Sequence, residues 1–327
     1  MKRVVFERCG EPAEVLETRE EPTPTPGSGQ VLVRMIASPV NPSDLLYVRG
    51  RYTFTPRTPS GVGFEGVGVV ETAGAGLGKL WVGRRVCVLN QNGGNWADYV
   101  VVDAKRVIPV ASDLPDEQVA SMFVNPATVL AMVRHVLKVP QGSWLLQSAA
   151  GSELGKMVIR LGKRDGFKTV NVVRRPEAKA SLSALGADAV ICSAEGPIDE
   201  QVRAIVSEGV KFALDPVGGE TGTQMIRALA EGGKILFYGT LTGEPVCFHP
   251  RFLFGGGRRL EGFYLGWWIE SQSIFAKISL FREITKLIRE GILTTDVGPS
   301  FPLDRVREAV QAAEQPGRAG KVFIRPA

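Results

Sequence analysis

The residues from Ser143 to Arg175 restrict the possible fold more than any other part of the chain. Ser143-Trp-Leu-Leu-Gln-Ser148 has the pattern of an apolar strand. It runs into the small-residue turn Ala149-Ala-Gly-Ser-Glu-Leu-Gly155, and an apolar helical pattern follows to about Arg164. Phe167-Lys-Thr-Val-Asn-Val-Val173 then reads as a second strand, ending in Arg174-Arg175. Strand, tight turn, helix and strand in this order make a βαβ unit of the dinucleotide-binding kind. Such a turn brings backbone N–H groups and a helix N-terminus close to a pyrophosphate. A carboxylate after the second strand would hold a free ribose 2′-hydroxyl, whereas an arginine accommodates a 2′-phosphate. Arg174 and Arg175 occupy that place, so the predicted cofactor is NADPH.

The same alternation continues downstream. Strands are predicted at Trp144–Ser148, Lys168–Val173, Ala189–Cys192, Lys211–Leu214, Lys234–Tyr238 and Leu260–Tyr264. Helices are predicted between them at Ser152–Arg164, Pro176–Leu185, Asp199–Ser207 and Glu220–Ala230. Six strands with right-handed helical crossovers give an α/β fold with a doubly wound parallel sheet. The first third differs, with short strands such as Val31–Ala37, Gly66–Glu71, Arg85–Leu89 and Trp96–Val102 between Pro- and Gly-rich turns. That spacing predicts a twisted, barrel-type β domain. A helical pattern opens near Ser112-Asp-Leu-Pro-Asp-Glu117 and another runs from Asn125 to Lys138. After Tyr264, helices at Ile274–Glu290 and Asp304–Ala313 and a strand at Lys321–Ile324 read as a return to the first domain.

At 327 residues the chain is long enough for two domains. Its net charge of +5 suits a polyanionic ligand but forms no basic run or aromatic-basic stripe, so no nucleic-acid partner is expected. No apolar stretch reaches the roughly 20 residues that span a bilayer, so no membrane partner is expected either. Cys9, Cys87, Cys192 and Cys247 are far apart with no metal-ligand spacing, which predicts reduced thiols and a cytoplasmic setting. The start of the chain enters a strand at once, without a signal or transit pattern.

Candidate site residues come from several segments. Gly151, Ser152, Glu153 and Leu154 form the phosphate turn, and Asp215-Pro-Val-Gly-Gly219 ends the fourth strand at the same edge of the sheet. Glu153 would repel a pyrophosphate if it pointed inward, so it is expected to face solvent, where it favours the helix dipole. The only histidines are His135 and His249, and Gly63-Phe-Glu-Gly66 carries Phe64 where a metal-using relative needs an imidazole. No set of three ligands can be assembled, so no metal is expected. Without a metal, reduction needs hydrogen-bond donors and a proton from a side chain. Tyr52 is the candidate acid, its phenol being protonated at neutral pH. Asn41 either orients a carbonyl or the nicotinamide ribose, or serves as a turn residue ahead of a short helix. Phe263 and Trp267, in the aromatic Gly262–Trp268 segment, line a substrate pocket or belong to the core or a dimer surface.

These motifs together resemble the zinc-free branch of the medium-chain dehydrogenase/reductase superfamily, with its quinone oxidoreductases and enoyl thioester reductases. Asn41-Pro-Ser-Asp44 with Gly50-Arg-Tyr52, Asn125-Pro-Ala-Thr128, Asn171-Val-Val-Arg174 and Gly262-Phe-Tyr-Leu265 carry the resemblance. It implies a GroES-like catalytic domain in residues 1–118 with 266–327 and a Rossmann NADPH domain in 119–265. It further implies an active cleft between the two and a homodimer joined through the cofactor domain. By the same resemblance Tyr52 is the proton donor. Cofactor contacts are implied for Asn125, Gly151, Ser152, Glu153, Leu154, Arg174, Arg175, Tyr238, Gly239, Thr240, Leu241, Phe263, Tyr264, Leu265, Gly266 and Lys321. The activity expected is NADPH-dependent reduction of a C=C bond conjugated to a carbonyl, with a trans-2-enoyl thioester as small-molecule substrate. A quinone is the alternative substrate, and a non-enzymatic NADPH-binding structural or RNA-binding role is the lesser alternative.

Overall fold

Near-continuous apolar strands between amphipathic helices make a sheet covered on both faces, and the segment after Trp144 folds accordingly. The computed structural model describes residues 1–326. Six strands, Trp144–Gln147, Lys168–Val173, Ala189–Cys192, Val210–Asp215, Leu229–Phe237 and Arg259–Gly262, form one sheet. All of its pairings are parallel. In space the strands follow the order third, second, first, fourth, fifth, sixth, so the chain reverses direction of progress between the first and the fourth. That reversal is where open α/β sheets bind ligands. Successive residues point to opposite faces. Val172 therefore packs with Ile198, Val202, Met225 and Ile226, while Val173 packs with Ile159 and Leu182.

The chain divides into two compact units, one of residues from Met1 to Val124 together with the segment from Thr294 onward, the other Asn125–Leu293. These bounds differ from the expected 119 and 266. Residues 119–124 stay with the first unit because the backbone N–H groups of Phe123 and Val124 are bonded to Glu65. The helix Ile274–Arg289 belongs to the second because it buries Leu280, Ile284, Leu287 and Ile288, and its Glu283 pairs with Arg134.

In the first unit the long strand Gln30–Pro39 organises a seven-stranded sheet. It pairs with Glu65–Ala73, with Tyr99–Asp103 and with the C-terminal strand Lys321–Ile324. Alternate residues Val31, Val33 and Met35 meet Val70, Val86, Val88, Val100 and Val102 in one core. A second core gathers Phe6, Tyr47, Trp96, Val322 and Ile324.

Two local expectations are corrected. The sixth strand, expected at Leu260–Tyr264, runs Arg259–Gly262, and a short helix, Leu265–Glu270, follows it. Aromatic and β-branched residues fit either state, and here the Trp268 N–H bonds to Tyr264 O at 3.2 Å, closing a helical turn. The Asn125–Lys138 pattern is an α-helix only over Val124–Leu130 and continues as a π-helical stretch, Ala131–Val136.

Candidate active site

The phosphate turn is built by small residues for two separate reasons. Ala149 sits at φ 49°, a left-handed conformation that costs a residue with a Cβ about 1 kcal/mol or more. Gly155 lies so close to the turn that a Cβ there would stand 2.5 Å from the Ala150 carbonyl oxygen. The helix Glu153–Asp165 can therefore pack directly onto the turn, and Ser152 caps it by accepting from the Gly155 N–H at 3.1 Å. Gly151 has no such internal reason. It is exposed, and a Cβ on it would meet no protein atom within 4 Å. A glycine with open space above it at a helix N-terminus fits a pyrophosphate approaching the backbone.

Arg174 and Arg175 follow the second strand on the same edge of the sheet. Both are exposed, and among the described residues neither forms an ion pair. No carboxylate occupies the ribose position, so the donor set fits a 2′-phosphate. At the reversal point Ser148 donates to Asp215, and both are buried. Asp215 also accepts from the Val217 and Gly218 N–H groups, each at 3.0 Å. Burial raises its carboxyl pKa against the lowering effect of those bonds. Asp215 thus shapes the 215–219 loop, beside which Tyr238–Leu241 run: the Tyr238 N–H bonds to Asp215 O at 3.0 Å and the Leu241 N–H to Pro216 O at 2.9 Å. Gly239 is needed there, since a Cβ would lie 2.9 Å from Pro216 O. Tyr238 is half-buried, its phenol pushed up by burial and by Asp215, and Thr240 and Leu241 are exposed.

Phe263, Tyr264, Leu265 and Gly266 leave the sixth strand at the same carboxyl edge and are half-buried. Trp267 is 70% exposed and meets the Tyr264 ring edge-on at 5.4 Å. Gly266 allows this, because a Cβ would stand 2.6 Å from the Tyr264 ring. Asn125 is half-buried in the first turn of Val124–Leu130, and Leu154 is buried.

Glu153 departs from expectation. Its side chain is only 7% exposed and accepts from Lys156 Nζ at 2.8 Å, one turn along the helix. The ammonium neutralises it in place, so it need not turn to solvent.

The first unit holds a second polar cluster. Asn41 precedes the helix Pro42–Val48 and is buried. Its side-chain amide donates to Glu65 Oε1 at 2.9 Å and its oxygen accepts from Lys321 Nζ. Asn41 thus caps the short helix, as one of the two expectations had it, and its side chain is also tied to Glu65 and Lys321. Lys321, 2% exposed, lies inside this cluster rather than open to a cofactor, because buried carboxylates need a cation nearby. Glu65 Oε2 accepts from the Phe123 and Val124 N–H groups at 3.1 and 2.9 Å. Asp44 accepts from the N–H groups of Asn41 at 2.8 Å and Phe64 at 3.0 Å. Burial, more than the Glu65 charge, raises the Asp44 carboxyl to about 7, and burial raises Glu65 as well.

This cluster leads to Tyr52 through Phe64. The half-buried Tyr52 ring stacks on Phe64 at 5.3 Å with 26° between planes and meets Phe54 edge-on at 5.3 Å. Phe64, standing where a metal-using relative carries imidazole, is a platform for the phenol. Sequence reasoning missed Asp44, Glu65 and Phe64 as members of the site. The available signal was a lone carboxylate in each of two otherwise small or apolar motifs, Asn41–Asp44 and Gly63–Gly66. The Ser43 hydroxyl is buried without a hydrogen-bond partner and lies in the same motif. Among the described residues no three His, Cys, Asp or Glu side chains gather as metal ligands. His135 and His249 are exposed.

Comparison with known proteins places the chain. Residues 154–280 match the zinc-binding dehydrogenase family and residues 27–112 the alcohol dehydrogenase GroES-like domain. The mitochondrial enoyl-[acyl-carrier-protein] reductase of Rattus norvegicus is 32% identical over 97% of this chain and 86% of its own length. A solved quinone oxidoreductase of Pseudomonas syringae superposes with a TM-score of 0.91 at 26% identity, covering 99% of each chain. A complex of Etr1p with NADP and crotonyl-CoA does so with a TM-score of 0.85 at 25% identity, also over 99% of each chain. With identity above 30% along nearly its whole length, this chain belongs to the medium-chain dehydrogenase/reductase superfamily, in its branch of enoyl reductases and quinone oxidoreductases.

Proposed function

We propose that this chain is an NADPH-dependent reductase of a C=C bond conjugated to a carbonyl, acting on a trans-2-enoyl thioester. The observation that carries the reading is the half-buried Tyr52 phenol, braced on Phe64 and Phe54. Gly151, Ser152 and the helix N-terminus behind them would hold the pyrophosphate of NADPH, and Arg174 with Arg175 its 2′-phosphate. The cofactor, when bound, would supply the hydride equivalent for the substrate β-carbon. Tyr52 gives its proton to the α-carbon, directly or through one water, which completes addition of two hydrogens across the bond. Asp44, Glu65, Asn41 and Lys321 act through Phe64 and the Pro42–Val48 helix as positioning residues. Phe263 and Trp267 suit the walls of an acyl pocket.

The four free cysteines support a reducing, cytoplasmic setting, although the enoyl reductase relatives are mitochondrial. No described helix is long and apolar enough to cross a membrane. The exposed edge strand Arg259–Gly262 supports a homodimer joined through the cofactor unit.

The second reading, reduction of a quinone, is favoured by the structural likeness to the Pseudomonas syringae protein. A quinone accepts electrons without a positioned acid. NADPH oxidation measured side by side with crotonyl-CoA, a longer enoyl-CoA and 1,4-naphthoquinone separates the two. Tyr52→Phe is expected to lower enoyl turnover by about 100-fold or more, the usual worth of a positioned acid, with NADPH affinity unchanged. Turnover with naphthoquinone alone, or an unaffected Tyr52→Phe enzyme, refutes the thioester reading.

A further inference from the structure

The short helix Leu77–Trp81 in the first unit carries side chains that its own core does not use. It is a 3₁₀-helix with three residues per turn, so residues three apart stand one above the other. Gly78 and Trp81 make the inward row. Gly78 is buried, and a Cβ on it would stand 2.9 Å from Val31 Cγ1 and 3.3 Å from Ala104 Cβ. Trp81 packs with Ala73 and Ala104 against the core of Val31, Val33 and Val70. Leu77 and Leu80 make the next row and face out, 79% and 67% exposed, with Val82 exposed just after them. Three large apolar side chains together on one small turn, none of them needed by the core, mark a contact surface.

The charge around this row has one sign to spare. No carboxylate occurs between Glu71 and Asp98, whereas Lys79, Arg84 and Arg85 fall within that stretch. Arg85 is taken up by Asp116. Lys79 and Arg84 are exposed, and among the described residues neither side chain forms an ion pair or hydrogen bond. The strands packed on the helix bring Glu71 and Arg34, which answer each other at 3.7 Å. The turn around Ala104 brings Asp103, which lies 3.8 Å from Lys105 and 4.0 Å from Arg106. One acid between two bases leaves a further positive charge beside the patch.

We infer that segment 77–84 is a peripheral docking face for an anionic lipid bilayer. Leu77, Leu80 and Val82 enter the acyl boundary while Lys79 and Arg84 lie among the headgroup phosphates. Unpaired cations beside exposed leucines match both layers of such a surface, negative at the headgroups and apolar beneath. A second copy of the chain is a poor match, because a twofold contact through this row sets Lys79 and Arg84 against the same cations of the other copy. A five-residue helix is also too small for a stable protein interface, which buries about 1,200–2,000 Å². No described helix is long and apolar enough to cross a membrane, but a contact in the headgroup plane needs no span. The contact does not depend on which substrate is reduced.

The test is co-sedimentation with vesicles of phosphatidylcholine alone and of phosphatidylcholine with an equal part of phosphatidylglycerol. Wild type is compared with Leu77→Ser/Leu80→Ser and Lys79→Glu/Arg84→Glu. All four positions are exposed, so both variants are expected to keep the wild-type thermal midpoint. Wild type is expected to bind the anionic vesicles about tenfold or more tightly than the neutral ones, and to lose that margin in high salt. Each basic residue near an anionic surface contributes about fivefold, so reversing both is expected to weaken binding by about 25-fold or more. Replacing the two leucines is expected to weaken it by about tenfold or more. Wild type that stays in the supernatant with anionic vesicles overturns the docking face, as does binding that neither variant weakens. Loss in only one of the two variants leaves half of the contact without support and also overturns it. A larger species in sedimentation velocity that Leu77→Ser/Leu80→Ser breaks apart gives the row to a second copy of the chain, which likewise overturns it. None of these measurements requires turnover, so they stand apart from the thioester reading.

Discussion

The NADPH preference lends itself to a quantitative test at Arg174 and Arg175. Both guanidinium groups are exposed at the end of the second strand, and among the described residues no carboxylate competes for them. Whatever a 2′-phosphate gains from them is therefore not offset by breaking an internal ion pair. Two unit charges about 4 Å apart attract by about 1 kcal/mol in bulk water and about 4 kcal/mol at an effective dielectric of 20. Exposure places these arginines toward the weaker end, and a charge-assisted hydrogen bond contributes about 1.5–3 kcal/mol. Taking about 1.5–2 kcal/mol for each, Arg174→Ala or Arg175→Ala should lower kcat/KM for NADPH by about 10–30-fold. NADH lacks the phosphate, so its kcat/KM should change by less than about twofold. Neighbours sharing one phosphate are not additive, so the double variant should lose more than either single variant but less than the product of their two losses. The assay is kcat/KM for both cofactors at low and high salt, where the wild-type preference itself should shrink as ions screen the contact. A double variant whose NADPH-to-NADH ratio stays within about threefold of wild type would sink the argument, since even the bulk-water Coulomb figure predicts more.

Three further outcomes follow from the geometry. Gly151→Val should fold normally, because its Cβ meets no protein atom, yet weaken NADPH binding about tenfold or more by blocking close approach to the backbone; unchanged affinity by titration would remove the pyrophosphate from this turn. Lys321→Met leaves the buried Glu65 and Asp44 without their cation and should cost about 3–5 kcal/mol in denaturant unfolding; a loss below about 1 kcal/mol would mean the carboxylates are held by backbone donors alone. Asp44 titrates near 7 in the folded chain against an ordinary value of 3.8, so the folded state binds its proton more tightly. Its contribution to stability is therefore complete below about pH 4 and is lost as pH rises toward 7, at a slope of up to about 1.4 kcal/mol per pH unit. Denaturant midpoints at pH 5 and 7 should show a steeper fall in wild type than in Asp44→Asn, the remaining slope belonging to Glu65 and Asp215, whose carboxyls burial also raises; an equal slope in both would refute the assignment.

Much of the cofactor unit was legible because its determinants are local. Periodicity placed Lys168–Val173 and Ala189–Cys192 at their observed bounds, and the turn before Glu153 announced the helix N-terminus. What sequence could not show depends on neighbours distant along the chain. Glu153 was expected in solvent, but its fate was decided by Lys156 and by burial of that helix turn. The strand expected to reach Tyr264 stops at Gly262, where the chain turns into the helix Leu265–Glu270. The Ile274–Arg289 helix reads as amphipathic wherever it lies, so its unit is set only by the partners of its apolar face. The Asn41–Glu65–Lys321 cluster joins residues up to 280 positions apart, and no local pattern encodes such a meeting.

That cluster also bears on why the first unit retains buried charge at all. A buried ion pair is weak evidence for stability, since apolar residues of similar volume often serve as well or better. Asp44, Glu65 and Lys321 are each almost wholly inaccessible, and what they hold is backbone: the N–H groups of Asn41, Phe64, Phe123 and Val124. These donors lie in segments without a sheet ladder to fix them, so a carboxylate reaching two of them at once sets their geometry as a strand would. Phe64 is one of the four, and its ring carries Tyr52. The expense of the buried charges is therefore best understood as precision: they fix a loop platform to within hydrogen-bond tolerance, which the proton-donor role proposed for Tyr52 would require and an apolar core would not supply.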